Sequence, residues 1–178
     1  MLNQKLWQRL PDRQTMQIDL PALRVRNVTG LSQCLISGLI RETTSPMSGS
    51  PEGVGALGLA SGEAYSVRLA RDRLLVVGAD DRVLRTGWHD EGFAVSGMSG
   101  ALEVFEISGR ASDDIVKRAT TLPLSGESRS AVVTFAGVSA VLYRYQMPDN
   151  LRLHVDRGLS AYIWEWLGTM LNLTSPQL

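Results

Sequence analysis

The 178 residues balance 18 Lys+Arg against 18 Asp+Glu, a formal net charge of zero with the arginines spread over the whole length. That distribution excludes the concentrated basic face on which nucleic-acid binding depends. No apolar run approaches the roughly 20 residues that span a bilayer, and residues 1–13 hold no apolar stretch of signal-peptide length, so no membrane contact and a cytoplasmic location are expected.

Residues 1–40 are mixed and broken early by Pro11 and Pro21. The segment LSQCLISGLI (31–40) reads as a short helix or a strand, with Gly38 weakening the helical reading. Its Cys34 is the only cysteine, so no intrachain disulfide can form, which agrees with a reducing compartment. Residues 41–63 are rich in Ser, Pro and Gly and have little apolar surface to offset the entropy of ordering. They read as a linker. Residues 65–69 and 74–77 form a hairpin turning at Arg71-Asp72-Arg73. The run Leu74-Leu75-Val76-Val77 is apolar on both faces, as in a sheet covered on both sides. Residues 79–90 (ADDRVLRTGWHD) predict a short helix with acidic residues in its first turn and Gly87 at its end.

A strand is expected over 102–107. A helix over 111–119 comes next, with Ser112, Asp113 and Asp114 at its start and Lys117 and Arg118 in its last turn, the order that suits the helix dipole. Residues 131–135 and 138–145 read as a hairpin about Ala136-Gly137, and 147–150 (MPDN) as a turn. Leu151, Leu153 and Val155 then alternate with Arg152 and His154, which predicts a strand with its apolar face inward and its polar face outward. Asp156 is placed to cap a closing helix over 159–171. That helix carries Leu159, Ile163, Trp166, Leu167 and Met170 along one stripe, with Tyr162 and Trp164 beside it. The order from 101 onward is β-α-β-β-β-α, partly echoed by 65–90, and it argues an α+β fold. Composition divides the chain into an N-terminal arm with a Gly/Ser/Pro-rich loop (1–63) and a domain (64–178), as two parts or as one continuous domain.

The motifs that suggest chemistry have plainer readings. Gly53-Val54-Gly55-Ala56-Leu57-Gly58 matches G-x-G-x-x-G, but Ser and Pro precede it and Ser61-Gly62 breaks the chain soon after it, so it lacks the strand and helix of a dinucleotide site. Ser96-Gly97-Met98-Ser99-Gly100 resembles a nucleophile elbow but has Ala101 where the last glycine belongs. Of the two histidines, His89 lies in a polar stretch and His154 on the polar face of a strand, and no metal-ligand spacing is present. Cys34 reads as a small buried side chain. Tyr162, Trp164 and Trp166 could stack a ligand ring, but aromatics at helical spacing more often serve a core or a subunit contact. They are the candidate subunit interface. No catalytic, cofactor-binding or metal residue is assigned.

Three stretches resemble the gamma subunit of heterotetrameric sarcosine oxidase, within the wider group that shares the folate-binding fold of the glycine-cleavage aminomethyltransferase (T-protein). They are LEVFEISGRASDDIVKRA (102–119), AVVTFAGVSAVLYRY (131–145) and LRLHVDRGLSAYIWEWL (151–167), the last with its Trp-x-Trp-Leu being the most specific. Residues 65–77 fit more weakly. The chain departs from the family at 95–99, where Val-Ser-Gly-Met-Ser replaces an Asp-x-Ser-His-like stretch, leaving no acid or histidine to carry a folate contact. The resemblance implies antiparallel sheets with packed helices, built from ferredoxin-like β-α-β-β-β-α units. It implies a non-catalytic structural subunit of a flavin-dependent sarcosine oxidase, or of a related oxidase or dehydrogenase of secondary amines such as N-methyl amino acids. The partners would be alpha, beta and delta subunits. FAD, FMN, NAD and zinc would reside on those subunits, with tetrahydrofolate as co-substrate and no cofactor in this chain. Two other readings stand beside it: a stand-alone tetrahydrofolate-binding, one-carbon transferase-like module, and an unrelated α+β interaction domain.

Overall fold

The computed structural model describes residues 15–38, 53–80, 84–126 and 128–174. The 41–52 part of the linker expected over 41–63, and the part of the arm before residue 15, lie outside them. The described chain is α+β. Its strands are β1 (Gln17–Leu20), β2 (Leu23–Asn27), β3 (Gln33–Gly38), β4 (Leu59–Ala60), β5 (Tyr65–Ala70), β6 (Arg73–Val77), β7 (Gly87–His89), β8 (Phe93–Gly97), β9 (Leu102–Ser108), β10 (Val132–Phe135), β11 (Val138–Tyr145) and β12 (Met147–Asp156). Its helices are α1 (Ser112–Ala119) and α2 (Ser160–Thr174), the second entered through a 3-10 turn, Arg157–Leu159.

The strands form two sheets. The first runs β1-β2-β9-β12-β11-β10, with the short β4 added in parallel to the end of β11; the second runs β5-β6-β3-β8-β7. All other strand pairs are antiparallel. Local chemistry explains the hairpins. Ala136 (φ 48) and Gly137 (φ 85) both take positive φ, the two-residue turn whose twist matches that of the flanking strands β10 and β11. The link from β11 to β12 is tighter: Gln146 alone turns the chain, at φ 61, and Tyr145 pairs with Met147. The turn expected at 147–150 is therefore strand. Pro148 is accommodated because the pairing of β12 with β9 starts only at Asn150.

Three apolar clusters fill the layers. α1 and α2 cover one face of the first sheet, where Ile115, Val116, Ile163, Leu167 and Leu171 meet Phe105, Ile107, Leu151, Leu153 and Val155. Each fully buried side chain of this size contributes about 1.5–3 kcal/mol. The buried stripe of α2 is Ile163, Leu167 and Leu171; Leu159 falls in the preceding 3-10 turn and is exposed, contrary to the expected stripe. Between the sheets, Val141, Tyr143 and Tyr145 meet Tyr65, Val67, Leu75 and Val77. On the far face of the second sheet, Cys34, Ile36, Leu74, Val76, Phe93 and Val95 pack with Ala79 and Leu84. The two-faced run 74–77 thus serves two clusters.

Several expectations are corrected. Of the two readings open for 31–40 the strand is the one formed, as β3, central in the second sheet. The helix expected over 79–90 is replaced, among the described residues, by β7 at Gly87–His89, because Gly87 and Trp88 pair with Val95 and Ala94. Residues 93–97, to which the sequence pattern assigns no element, are β8. The described part of the presumed linker is packed: Val54 bonds to both Ser66 O and Arg68 N, Ala56 to Ser130 O and Ser128 N, and Gly58 O accepts from Arg144 N. Gly55 permits this stitching, since a Cβ there would lie 1.5 Å from Ser128 O. Backbone hydrogen bonds and small-residue close approach, together with the burial of Leu57 and Ala60 in two of the apolar clusters, hold 53–60 in place.

Candidate functional site

The densest polar chemistry lies between the two sheets. Over 151–155 the strand β12 has no solvent-facing side: Arg152 and His154, expected outward, are 6 % and 0 % exposed because the second sheet covers that face. His154 Nδ1 donates to Gln33 Oε1 at 2.7 Å, and Gln33 Nε2 donates to Leu102 O, which orients that amide. With its proton on Nδ1, the neutral imidazole accepts at Nε2 from Tyr143 OH, also at 2.7 Å. Tyr143 in turn accepts from Tyr65 OH at 2.8 Å, and Tyr65 accepts from Arg152 Nη1. The chain therefore runs Arg152 to Tyr65 to Tyr143 to His154 to Gln33, crossing between sheets at its first, second and last links.

Electrostatics hold this polarity. Burial first, and then the Arg152 charge, push His154 from its ordinary 6.5 down to about 3. Burial raises Tyr143 well above the usual phenol value, and raises Tyr65. Protonating His154 would turn Nε2 into a donor facing Tyr143. The hydroxyls would then have to reverse toward Arg152, which has no acceptor to offer. Arg152 also stacks 3.4 Å from the Tyr145 ring centroid, and its Nε lies 3.5 Å from Glu106 Oε2. Glu106 Oε1 takes the half-exposed Arg26, so one buried carboxylate faces two guanidinium groups. At the end of the sheet, Glu103 takes Asn27 Nδ2 at 2.7 Å and lies 3.4 Å from Arg157.

Sequence pattern alone does not single out Gln33, Tyr65 or Tyr143, and the period-two alternation of β12 was the one signal of this layer. A polar face reads as solvated until a second sheet covers it.

The helix aromatics divide. Trp164 stacks on Phe105 (centroids 5.9 Å apart) and Trp166 meets Phe135 edge-on (5.5 Å), so both pack on this chain's own core while remaining partly exposed. Tyr162 is 46 % exposed and donates to Ala136 O. Other residues weighed for chemistry have structural places. Ser99 Oγ accepts from Gln33 N and donates to Gln33 O, and His89 stacks on Phe93. Cys34 is buried in the outer cluster. Among the described residues no group of three or more His, Cys, Asp or Glu could hold a metal ion, and no helix is long and apolar enough to cross a membrane.

No family model and no curated protein matches the sequence. Among solved structures the chain is similar to one from heterotetrameric sarcosine oxidase of Corynebacterium sp. U-96, determined in complex with pyrrole 2-carboxylate. The TM-score is 0.65 and the identity 15 %, over 93 % of each chain. This protein shares that chain's fold. The likeness runs nearly end to end in both, so the two chains are close in length.

Proposed function

We propose that this protein is the gamma-type, non-catalytic structural subunit of a heterotetrameric, flavin-dependent oxidase or dehydrogenase acting on sarcosine or a related N-methyl amino acid, located in the cytoplasm. The observation that carries this is the fold likeness to a chain of nearly equal length from such a heterotetramer. The similarity of 102–119, 131–145 and 151–167 to the gamma family supports it independently, and with it a glycine-cleavage T-protein-like folate-binding fold. The buried polar chain adds support, because its donors and acceptors are spent on joining two sheets. In this reading alpha, beta and delta subunits supply FAD, FMN, NAD, zinc and the tetrahydrofolate site. Tyr162, with the exposed parts of Trp164 and Trp166, contributes to the contact with them.

Co-expression with the alpha, beta and delta chains and purification on a tag carried by this one tests the reading. A yellow, stoichiometric complex is the expected result. Recovery of a colourless chain alone would overturn it, and saturable binding of tetrahydrofolate to that chain in calorimetry, at micromolar affinity or ~8 kcal/mol, would replace it with a stand-alone folate-binding module.

A further inference from the structure

Tyr143 and His154 are arranged to do more than hold two sheets together. The Tyr143 hydroxyl donates to a neutral imidazole, at His154 Nε2, over 2.7 Å, while its oxygen accepts from Tyr65 OH at 2.8 Å. A base within hydrogen-bond reach can take the phenolic proton with no other group moving. Both side chains are fully buried, so the bond between them is shielded from bulk water.

Two further phenols connect this pair to the surface. The ring of Tyr65 lies 5.7 Å from that of Tyr143 and 5.1 Å from that of Tyr145, centroid to centroid. Tyr145 OH donates to Gly62 O and accepts from Gln146 Nε2, and both of those residues are exposed. The three phenols differ in what could take their proton. Tyr65 donates to another phenol and Tyr145 to a carbonyl, both poor bases, whereas Tyr143 faces an imidazole. Arg152 adds a second difference. Its guanidinium lies 3.4 Å from the Tyr145 ring centroid and donates to Tyr65, so positive charge left on either ring is repelled.

We propose that Tyr145, Tyr65 and Tyr143 form a one-electron relay that carries an oxidising equivalent inward from the surface beside Gly62 and Gln146, with Tyr143 as its end point and His154 as the proton acceptor. The oxidant is a strong one-electron acceptor of the class of oxygen-derived radicals. It is reduced by one electron, passed outward from Tyr143 through Tyr65 and Tyr145. The Tyr143 O–H bond breaks and an N–H bond forms at His154 Nε2, leaving a neutral phenoxyl beside an imidazolium. That product is hydrogen-bonded throughout. The phenoxyl oxygen accepts from Tyr65 OH and from His154 Nε2, and Nδ1 still donates to Gln33 Oε1. A proton arriving at His154 from solvent would set two donors face to face, but a proton given by Tyr143 itself does not. Arg152 opposes the imidazolium charge, which reserves the site for strong oxidants. Reduction by one electron reverses both transfers.

Flash photolysis of the purified full chain with a ruthenium polypyridyl photo-oxidant tests this, read by transient absorption and freeze-quench EPR, with circular dichroism to confirm that each variant is folded. The wild type is expected to form a neutral tyrosyl radical. Tyr143→Phe should abolish it, and Tyr162→Phe, which removes an exposed phenol, should leave it unchanged. His154→Gln should slow its formation about a hundredfold, the usual contribution of a positioned base. High-field EPR of the wild type needs no variant: an oxygen with two hydrogen-bond donors should lower the largest g value below that of an unbonded tyrosyl. Absence of a tyrosyl radical in the wild type overturns the proposal, as does a g value without hydrogen bonds, a radical that persists in Tyr143→Phe, or a rate indifferent to His154→Gln. The chain is tested without other subunits, so none of these outcomes bears on the heterotetramer reading.

Discussion

The two faces of the first sheet are built on opposite principles. The face under α1 and α2 is apolar, with Phe105, Leu151, Leu153 and Val155 meeting Ile163 and Leu167. The face under the second sheet carries Arg152, His154 and Glu106, with Tyr143 and Tyr145 beside them and Tyr65 reaching across from the second sheet. Apolar packing is strong but non-directional, and it tolerates small slips between layers. The hydrogen-bonded chain contributes less free energy per contact but accepts one register only, since every link needs a donor facing an acceptor at under 3 Å. The helices are thus held by area, and the sheets by area and direction together.

Four measurements would break or sharpen that contrast. On the helix side, Phe105→Ala should cost about 3–5 kcal/mol in chemical unfolding, because a fully buried ring is lost and Trp164 loses its stacking partner. A loss below about 1 kcal/mol would show that α2 contributes little. On the other side, Tyr143→Phe should cost about 1–3 kcal/mol, since the shape is kept but Tyr65 loses its acceptor and His154 its donor. In a double-mutant cycle with Gln33→Leu, the two losses should be less than additive; strict additivity would mean the links act independently.

The polar layer alone should be sensitive to acid. His154 binds a proton near 6.5 when unfolded but only near 3 when folded, so the unfolded state takes up more protons between those values. Its contribution is complete above about pH 6.5 and falls as pH is lowered toward 3, by at most ~1.4 kcal/mol per pH unit. Urea midpoints at pH 7 and pH 5 should therefore converge in a His154→Gln variant relative to wild type; an unchanged pH slope would remove His154 from the account. The smallest effect is expected at Tyr162→Ala. Its side chain is half exposed and bonded once to Ala136 O, so monomer stability should fall by about 1 kcal/mol or less. If the proposed complex forms, its assembly should weaken more than that; an assembly loss no larger than the stability loss would take Tyr162 out of the proposed interface.

What neighbouring residues decide among themselves was legible in the sequence. The hairpins at 65–77 and 131–145 arise from turn residues between β-rich runs. α1 is set by Asp113 and Asp114 at one end and Lys117 and Arg118 at the other, and α2 by apolar spacing, with Asp156 capping the 3-10 turn that leads into it through Oδ1, which accepts from Gly158 N. Tertiary structure alone decided which faces are wet and which weak segments become strands. β1, β2, β3, β7 and β8 are short and, taken singly, have little pattern; they are strands because partners elsewhere in the chain complete their hydrogen bonds. Arg152 and His154 alternate as a solvated face would, and they are buried because β3 and β5 bring Gln33 and Tyr65 over them. A side chain's parity along a strand is a local property. Whether water or a second sheet stands opposite depends on residues roughly 90 to 120 positions away.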